Sequence, residues 1–172
     1  MTEARAKWRA PLGAVERGVR EALANAEATG APWAALLLAV HYGASFAVQL
    51  GAQDAVDRFQ LAQVLSNLLR NGIEAIEEQG EPTGELAVSI GAGAPGWLEV
   101  SVQDSGKGIA PDRVDAIFAP FFSTKPGGTG LGLAVSRRLV ESFGGRLWVE
   151  PSLAGATLRF SLPRSPDLHG DG

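Results

Sequence analysis

The stretch STKPGGTGLGLAVSRRL, residues 123–139, sets Gly127, Gly128, Gly130 and Gly132 directly against the start of an apolar-periodic run. Leu131, Val135, Leu139 and Phe143 recur at helical spacing, which predicts a helix from about Leu131 to Phe143, closed by Gly144-Gly145. Backbone amides at a helix N-terminus have no intrahelical partners and lie at the positive end of the helix dipole, so they favour an anion. Glycine lets that backbone approach the anion closely and adopt positive φ. The pattern therefore suits a phosphate cradle, to which Lys125 and Thr129 could add a cation and a hydroxyl. It is not a Walker loop, because the order GxxxxGK[ST] is absent. A glycine-opened surface loop would read the same way, so this stretch alone leaves both readings open.

A second helix is expected from Asp57 to about Glu78, with Asp57 as N-cap and Gly80 and Pro82 as stops. Within QLAQVLSNLLRNGIEAIEE (60–78), Gln60, Gln63, Asn67, Asn71 and Glu74 recur at three- and four-residue steps and share one face, while Leu61, Leu65, Leu68, Leu69 and Ile76 take the other. A stripe of amides with one carboxylate suits a hard cation such as Mg²⁺, which keeps its waters and binds substrate phosphates. A solvated helix face fits the same stripe. In VQDSGKGIAPD (102–112), Asp104 ends an apolar strand and is followed by Gly106 and Gly108, so its carboxylate could face a cavity and accept a hydrogen bond from the amino group of a base. A strand-ending turn is the plainer reading of that motif.

Around these motifs the pattern gives a helix at 12–27, strands at 36–42 and 45–50, strands at 85–90 and 97–104, a mixed segment at 105–130 and a closing hairpin at 146–151 and 156–163. That order predicts an α/β two-layer sandwich: a mixed, mostly antiparallel sheet of about five strands, with about three helices on one face and a flexible lid. The 172 residues suit one domain. We divide them into 1–11 as a linker, 12–163 as the domain and 164–172 as a mobile tail. The net charge of −4 with dispersed Lys and Arg argues against nucleic acid, and the absence of cysteine excludes disulfides and thiolate chemistry. No signal peptide and no apolar run of membrane-spanning length is present, which predicts a cytoplasmic chain without a membrane segment.

Taken in order, the motifs resemble the catalytic and ATP-binding domain of sensor histidine kinases, within the superfamily of gyrase, MutL and the heat-shock chaperone ATPases. NLLRNGIEA (67–75) is similar to the N box, DSGKGI (104–109) to the first glycine box, IFAPFFSTK (117–125) to the F box and GGTGLGL (127–133) to the second glycine box. The resemblance spans about Leu12 to Pro163 and is closest to oxygen-sensing and nitrogen-regulating kinases. It implies ATP and Mg²⁺ as ligands, with Asn71 as main metal ligand and Asn67 and Glu74 lining the same site. It further implies that Asp104 accepts the adenine amino group, Gly106 and Gly108 shape the pocket and Ile109 walls the base. Lys125, Thr129 and the amides of Gly130, Leu131, Gly132 and Leu133 would hold the phosphates. Phe121 and Phe122 would anchor a lid over 110–129.

In the ATPase relatives the residue four before the metal-binding asparagine is a water-activating glutamate. Here it is Asn67, which lacks useful basicity, so slow hydrolysis is expected. Gly72 stands where the family usually has alanine, a helix-propensity cost of roughly 1 kcal/mol. No residue is singled out as catalytic. A complete kinase carries its phosphoacceptor histidine on an upstream dimerisation helix, followed by an acidic residue, and neither His41 nor His169 fits. The resemblance then implies an ATP domain, monomeric alone, that serves a histidine on a separate dimerisation domain, missing here or in trans, with a response regulator downstream. Residues 1–11 would be the end of that dimerisation helix. The alternatives are an anti-sigma-type serine kinase and a nucleotide-sensing module without transfer.

Overall fold

The computed structural model describes residues 3–9, 56–79, 83–124, 128–152 and 154–164. The helix expected at 12–27 and the strands expected at 36–42 and 45–50 lie outside them.

In the described residues, five strands and two α-helices run in the order β1 (Glu3–Arg9), α1 (Arg58–Glu77), β2 (Thr83–Ala92), β3 (Trp97–Asp104), α2 (Gly132–Ser142), β4 (Leu147–Glu150) and β5 (Thr157–Pro163). Two single-turn 3₁₀ helices, Pro111–Arg113 and Ala116–Phe118, lie between β3 and α2. The sheet order is β1-β2-β3-β5-β4; β1 pairs parallel with β2 and every other pair is antiparallel. The mixed, mostly antiparallel sheet matches the expected class. Strand β1 falls where a linker was expected.

Helix α1 starts where Asp57 caps it: its Oδ1 accepts from the amides of Phe59 at 2.7 Å and Gln60 at 3.2 Å. Its apolar stripe, Leu61, Val64, Leu65, Leu68, Leu69 and Ile76, is buried. Helix α2 ends in a Schellman arrangement: Gly144 has φ +82°, the Gly144 amide donates to the Glu141 carbonyl and the Gly145 amide donates to the Val140 carbonyl.

Strand alternation sends one side chain in two toward these helices. On β3 the buried set is Leu98, Val100, Val102 and Asp104. Register sets Val102 between Val88 and Leu158, and Val100 between Ile90 and Phe160, so the rows meet α1 and α2 in one core. Fully burying each Leu, Ile or Phe contributes roughly 1.5–3 kcal/mol. The opposite sheet face carries polar pairs, Ser89 with Ser101 and Arg159 with Glu99. Asp104 is therefore the carboxylate that strand periodicity places in a core-facing row, level with Leu86.

Candidate nucleotide-binding site

Asp104 is 7% exposed at the end of β3. Its Oδ1 accepts from the Gly106 amide at 2.8 Å and the Ala156 amide at 3.3 Å, while its own amide donates to the Ala156 carbonyl at 2.9 Å. Two backbone donors hold the carboxylate in a single orientation.

Glycines make this turn possible. A Cβ on Gly106 would lie 2.7 Å from the Ala75 main chain of α1, and one on Gly155, at φ +68°, would lie 1.8 Å from the Asp104 carbonyl oxygen. The turn is thus pressed between α1 and the β4–β5 loop. Ser105 ties it to β2, donating its amide to the Glu85 carbonyl and accepting the Glu85 amide on Oγ. Beside it opens a cleft of about 510 Å³ whose walls include Gly108, Ile109, Ile117, Thr124 and Gly155. Ile109 and Ile117 give it apolar sides suited to a planar base. Lys107 and Arg113 stand at the same cleft, with Lys107 ion-paired to Glu78 at the end of α1.

The polar stripe of α1 is half-buried at Asn67, Asn71 and Glu74. Asn67 Nδ2 donates to the Gly132 carbonyl at 3.3 Å and to Ser136 Oγ at 3.2 Å, so it reaches α2. Among the described residues Asn71 has no hydrogen-bond partner, which leaves its amide available, and Glu74 lies three residues along the same face. No three His, Cys, Asp or Glu side chains among the described residues form a metal-binding group. An amide and a carboxylate fit a cation that takes most of its ligands from water and phosphate, as Mg²⁺ does, rather than one that needs a full protein cage.

The N-terminus of α2 is uncapped. Leu131 at the N-cap offers no side-chain acceptor and the first turn carries no acidic residue, so among the described residues no side chain caps the amides of Gly132, Leu133 and Ala134. Leading into it, Gly130 has φ +64°; its carbonyl accepts from the Phe121 amide at 3.0 Å, and a Cβ on it would lie 2.5 Å from the Phe121 carbonyl carbon. The loop between Phe122 and Gly130 is thereby closed at its base. Thr129 is exposed on that loop, and Lys125 lies outside the described residues.

The anchor of this segment differs from expectation. Phe121 is 78% exposed and Phe122 half-buried, whereas Phe118 is 8% exposed, with Arg137 of α2 5.1 Å over its ring. The Ala116–Phe118 turn directs Phe118 inward, and the positive φ of 65° at Phe121 turns the following chain back toward Gly130.

Sequence reasoning missed three contributors: Gly155, Ala156 and Ser136. The first two were read only as part of a hairpin, and the last as an ordinary helix position. Thr157, buried beside Ala156, pairs with Gln103, the residue before Asp104.

The model of the family described as histidine kinase-, DNA gyrase B- and HSP90-like ATPase matches residues 56–166. Sensor protein FixL of Bradyrhizobium diazoefficiens is 42% identical over 112 residues, 64% of this chain and 22% of FixL. Sensor histidine kinase ZraS of Escherichia coli K12 is 46% identical over 109 residues, 62% of this chain and 22% of ZraS. The chain thus spans about a fifth of the length of these curated relatives. Among solved structures, the catalytic domain of histidine kinase ThkA aligns with a TM-score of 0.56 at 38% identity, over 64% of this chain and 70% of that one. ThkA in complex with response regulator protein TrrA aligns with a TM-score of 0.51 at 33% identity, over 65% of this chain and 30% of that one. With the glycine-bound carboxylate, the amide stripe and the uncapped helix end in place, the chain belongs to the histidine kinase-, DNA gyrase B- and HSP90-like ATPase family, and its matched relatives are sensor histidine kinases.

Proposed function

We propose that this domain binds Mg·ATP and presents the γ-phosphate to a histidine on a dimerisation domain, as the catalytic part of a two-component kinase. The observation that carries the reading is the Asp104 carboxylate, buried at a strand end, held by the Gly106 and Ala156 amides and set beside a cleft with apolar walls. Asp104 would accept from the exocyclic amine of adenine, with Ile109 and Ile117 against the ring. The amides of Gly132 and Leu133, with Lys125, Thr129 and the backbone of Gly130 and Leu131, would take the phosphates. Asn71 and Glu74 would hold Mg²⁺, which when bound neutralises phosphate charge.

Phosphoryl transfer is mostly positioning and charge neutralisation, so the domain needs no nucleophile of its own. The incoming imidazole nitrogen forms the bond to phosphorus as the bond to the β–γ bridging oxygen breaks, and ADP leaves. A response regulator would then draw the phosphoryl group from the histidine; the similar histidine kinase ThkA has been solved in complex with response regulator protein TrrA. Use of cellular ATP would put the domain in the cytoplasm.

Incubating the chain and a separately purified histidine-bearing dimerisation domain with γ-labelled ATP tests the reading. Label is expected on the histidine of the added domain. Nucleotide binding without any such label at any enzyme concentration would replace the kinase by a nucleotide-sensing module.

A further inference from the structure

We propose that Asn67 is a positioning residue, a latch that ties the first turn of α2 to α1 and so sets the spacing between the metal-facing and phosphate-facing halves of the site. The consequence for ligand binding rests on the nucleotide reading above; the latch itself does not. The Asn67 amide nitrogen carries two hydrogens, and the structure gives them two acceptors, the Gly132 carbonyl at 3.3 Å and Ser136 Oγ at 3.2 Å. A main-chain carbonyl only accepts, so this contact fixes which way the amide points. Gly132 and Ser136 are four residues apart and share one face of α2, so one side chain spans a full turn.

The location makes this more than a packing contact. Ser136 is fully buried and Asn67 half-buried, so the bonds are shielded from competing water. The Leu131 N-cap contributes no side-chain bond. Among the described residues Asn67 is the side chain that hydrogen-bonds the opening turn of α2. That turn presents the amides proposed for phosphate, and α1 presents Asn71 one turn beyond Asn67. The nitrogen of Asn67 is committed to holding the two together, which separates it from Asn71, whose amide has no partner among the described residues.

Latch and metal ligand make opposite predictions for Asn67→Asp. A carboxylate has no hydrogen to give the Gly132 carbonyl and would face it oxygen to oxygen, whereas for Mg²⁺ a carboxylate is the better ligand. The full chain, wild type, Asn67→Asp, Asn67→Ala and Ser136→Ala, is titrated calorimetrically with AMP-PNP with and without Mg²⁺, and amide hydrogen exchange is followed without nucleotide.

A latch predicts that Asn67→Asp and Asn67→Ala lose affinity about tenfold in both conditions, as expected for two lost hydrogen bonds. The ratio of affinities with and without Mg²⁺ should stay within about twofold of wild type. The Val135 and Ser136 amides should exchange faster while those of Ser142 and Phe143 do not, a local effect that general destabilisation would not produce. Ser136→Ala, which keeps the Gly132 contact, should move both readouts the same way by less.

Retained or raised affinity of Asn67→Asp with Mg²⁺, or collapse of the magnesium ratio, would overturn the latch in favour of metal ligation. Unchanged exchange at Val135 and Ser136 in every variant would overturn it outright. A wild-type chain that binds no AMP-PNP would refute the nucleotide reading, and the exchange measurement would still decide the latch.

Discussion

Replacing Asp104 separates the brace it provides from the base recognition proposed for it. Oδ1 accepts from the amides of Gly106 and Ala156, at 2.8 and 3.3 Å. Asp104→Asn can keep a carbonyl oxygen there while turning the remaining atom into an NH₂ donor, which cannot accept from the adenine amine. The loss is one hydrogen bond to a charged group, roughly 1.5–3 kcal/mol, so ATP should bind about 10- to 150-fold more weakly. Asp104→Ala removes the brace as well. Two buried amides then lose their acceptor at about 1–3 kcal/mol each if left unsatisfied, and for a chain of this size each kcal/mol lowers Tm by roughly 2–4 °C. Calorimetric titration with AMP-PNP and thermal unfolding followed by circular dichroism read the two effects separately. Asp104→Asn should fail mainly in binding; Asp104→Ala should fail in both, melting at least about 4 °C lower. Wild-type affinity in Asp104→Asn would refute the base-recognition role. An unchanged Tm in Asp104→Ala would refute the brace.

Asn71→Ala should make AMP-PNP affinity nearly independent of Mg²⁺, measured by titration with and without the metal; retained magnesium dependence would place the cation elsewhere. Gly72→Ala pits a helix-propensity gain of about 1 kcal/mol against overpacking of about 1–3 kcal/mol, because the added Cβ would lie 2.6 Å from Leu86 Cδ1 and 3.2 Å from Asp104 Cβ. Urea unfolding should show net destabilisation that Leu86→Val partly reverses, and a more stable Gly72→Ala would contradict the packing. Protease cleavage within 110–129 should slow when nucleotide is added, whereas equal rates would mean that this segment does not close over the ligand.

The parts of the fold that repeat along the chain were legible. Asp57 followed by the leucine stripe marks α1, and even steps from Leu98 through Val100 and Val102 put Asp104 on the core face. The parts created by pairing distant segments were not. Ala156 meets Asp104 only because β3 and β5 pair, across 52 positions, and Asn67 meets Ser136 across 69. No local spacing encodes either contact. IFAPFF offers three phenylalanines, and choosing Phe118 over Phe121 and Phe122 needed the turn geometry of Ala116–Phe118. Strand β1 did have a signal, since EARAKWR alternates charged and apolar residues, but the resemblance implied the end of a dimerisation helix there.

The same contacts bear on why such a site should retain ATP rather than hydrolyse it. A water-activating base needs a basic atom that is free to accept a proton. At position 67 the chain supplies an amide, which lacks that basicity, and its nitrogen is already engaged by Gly132 and Ser136 on the neighbouring helix. On the proposed reading, the position that would activate water in an ATPase is used here to hold the two helices together, and precise placement of the phosphates and weak hydrolysis would both follow from one side chain. That combination suits an enzyme whose acceptor is a histidine arriving from outside the site.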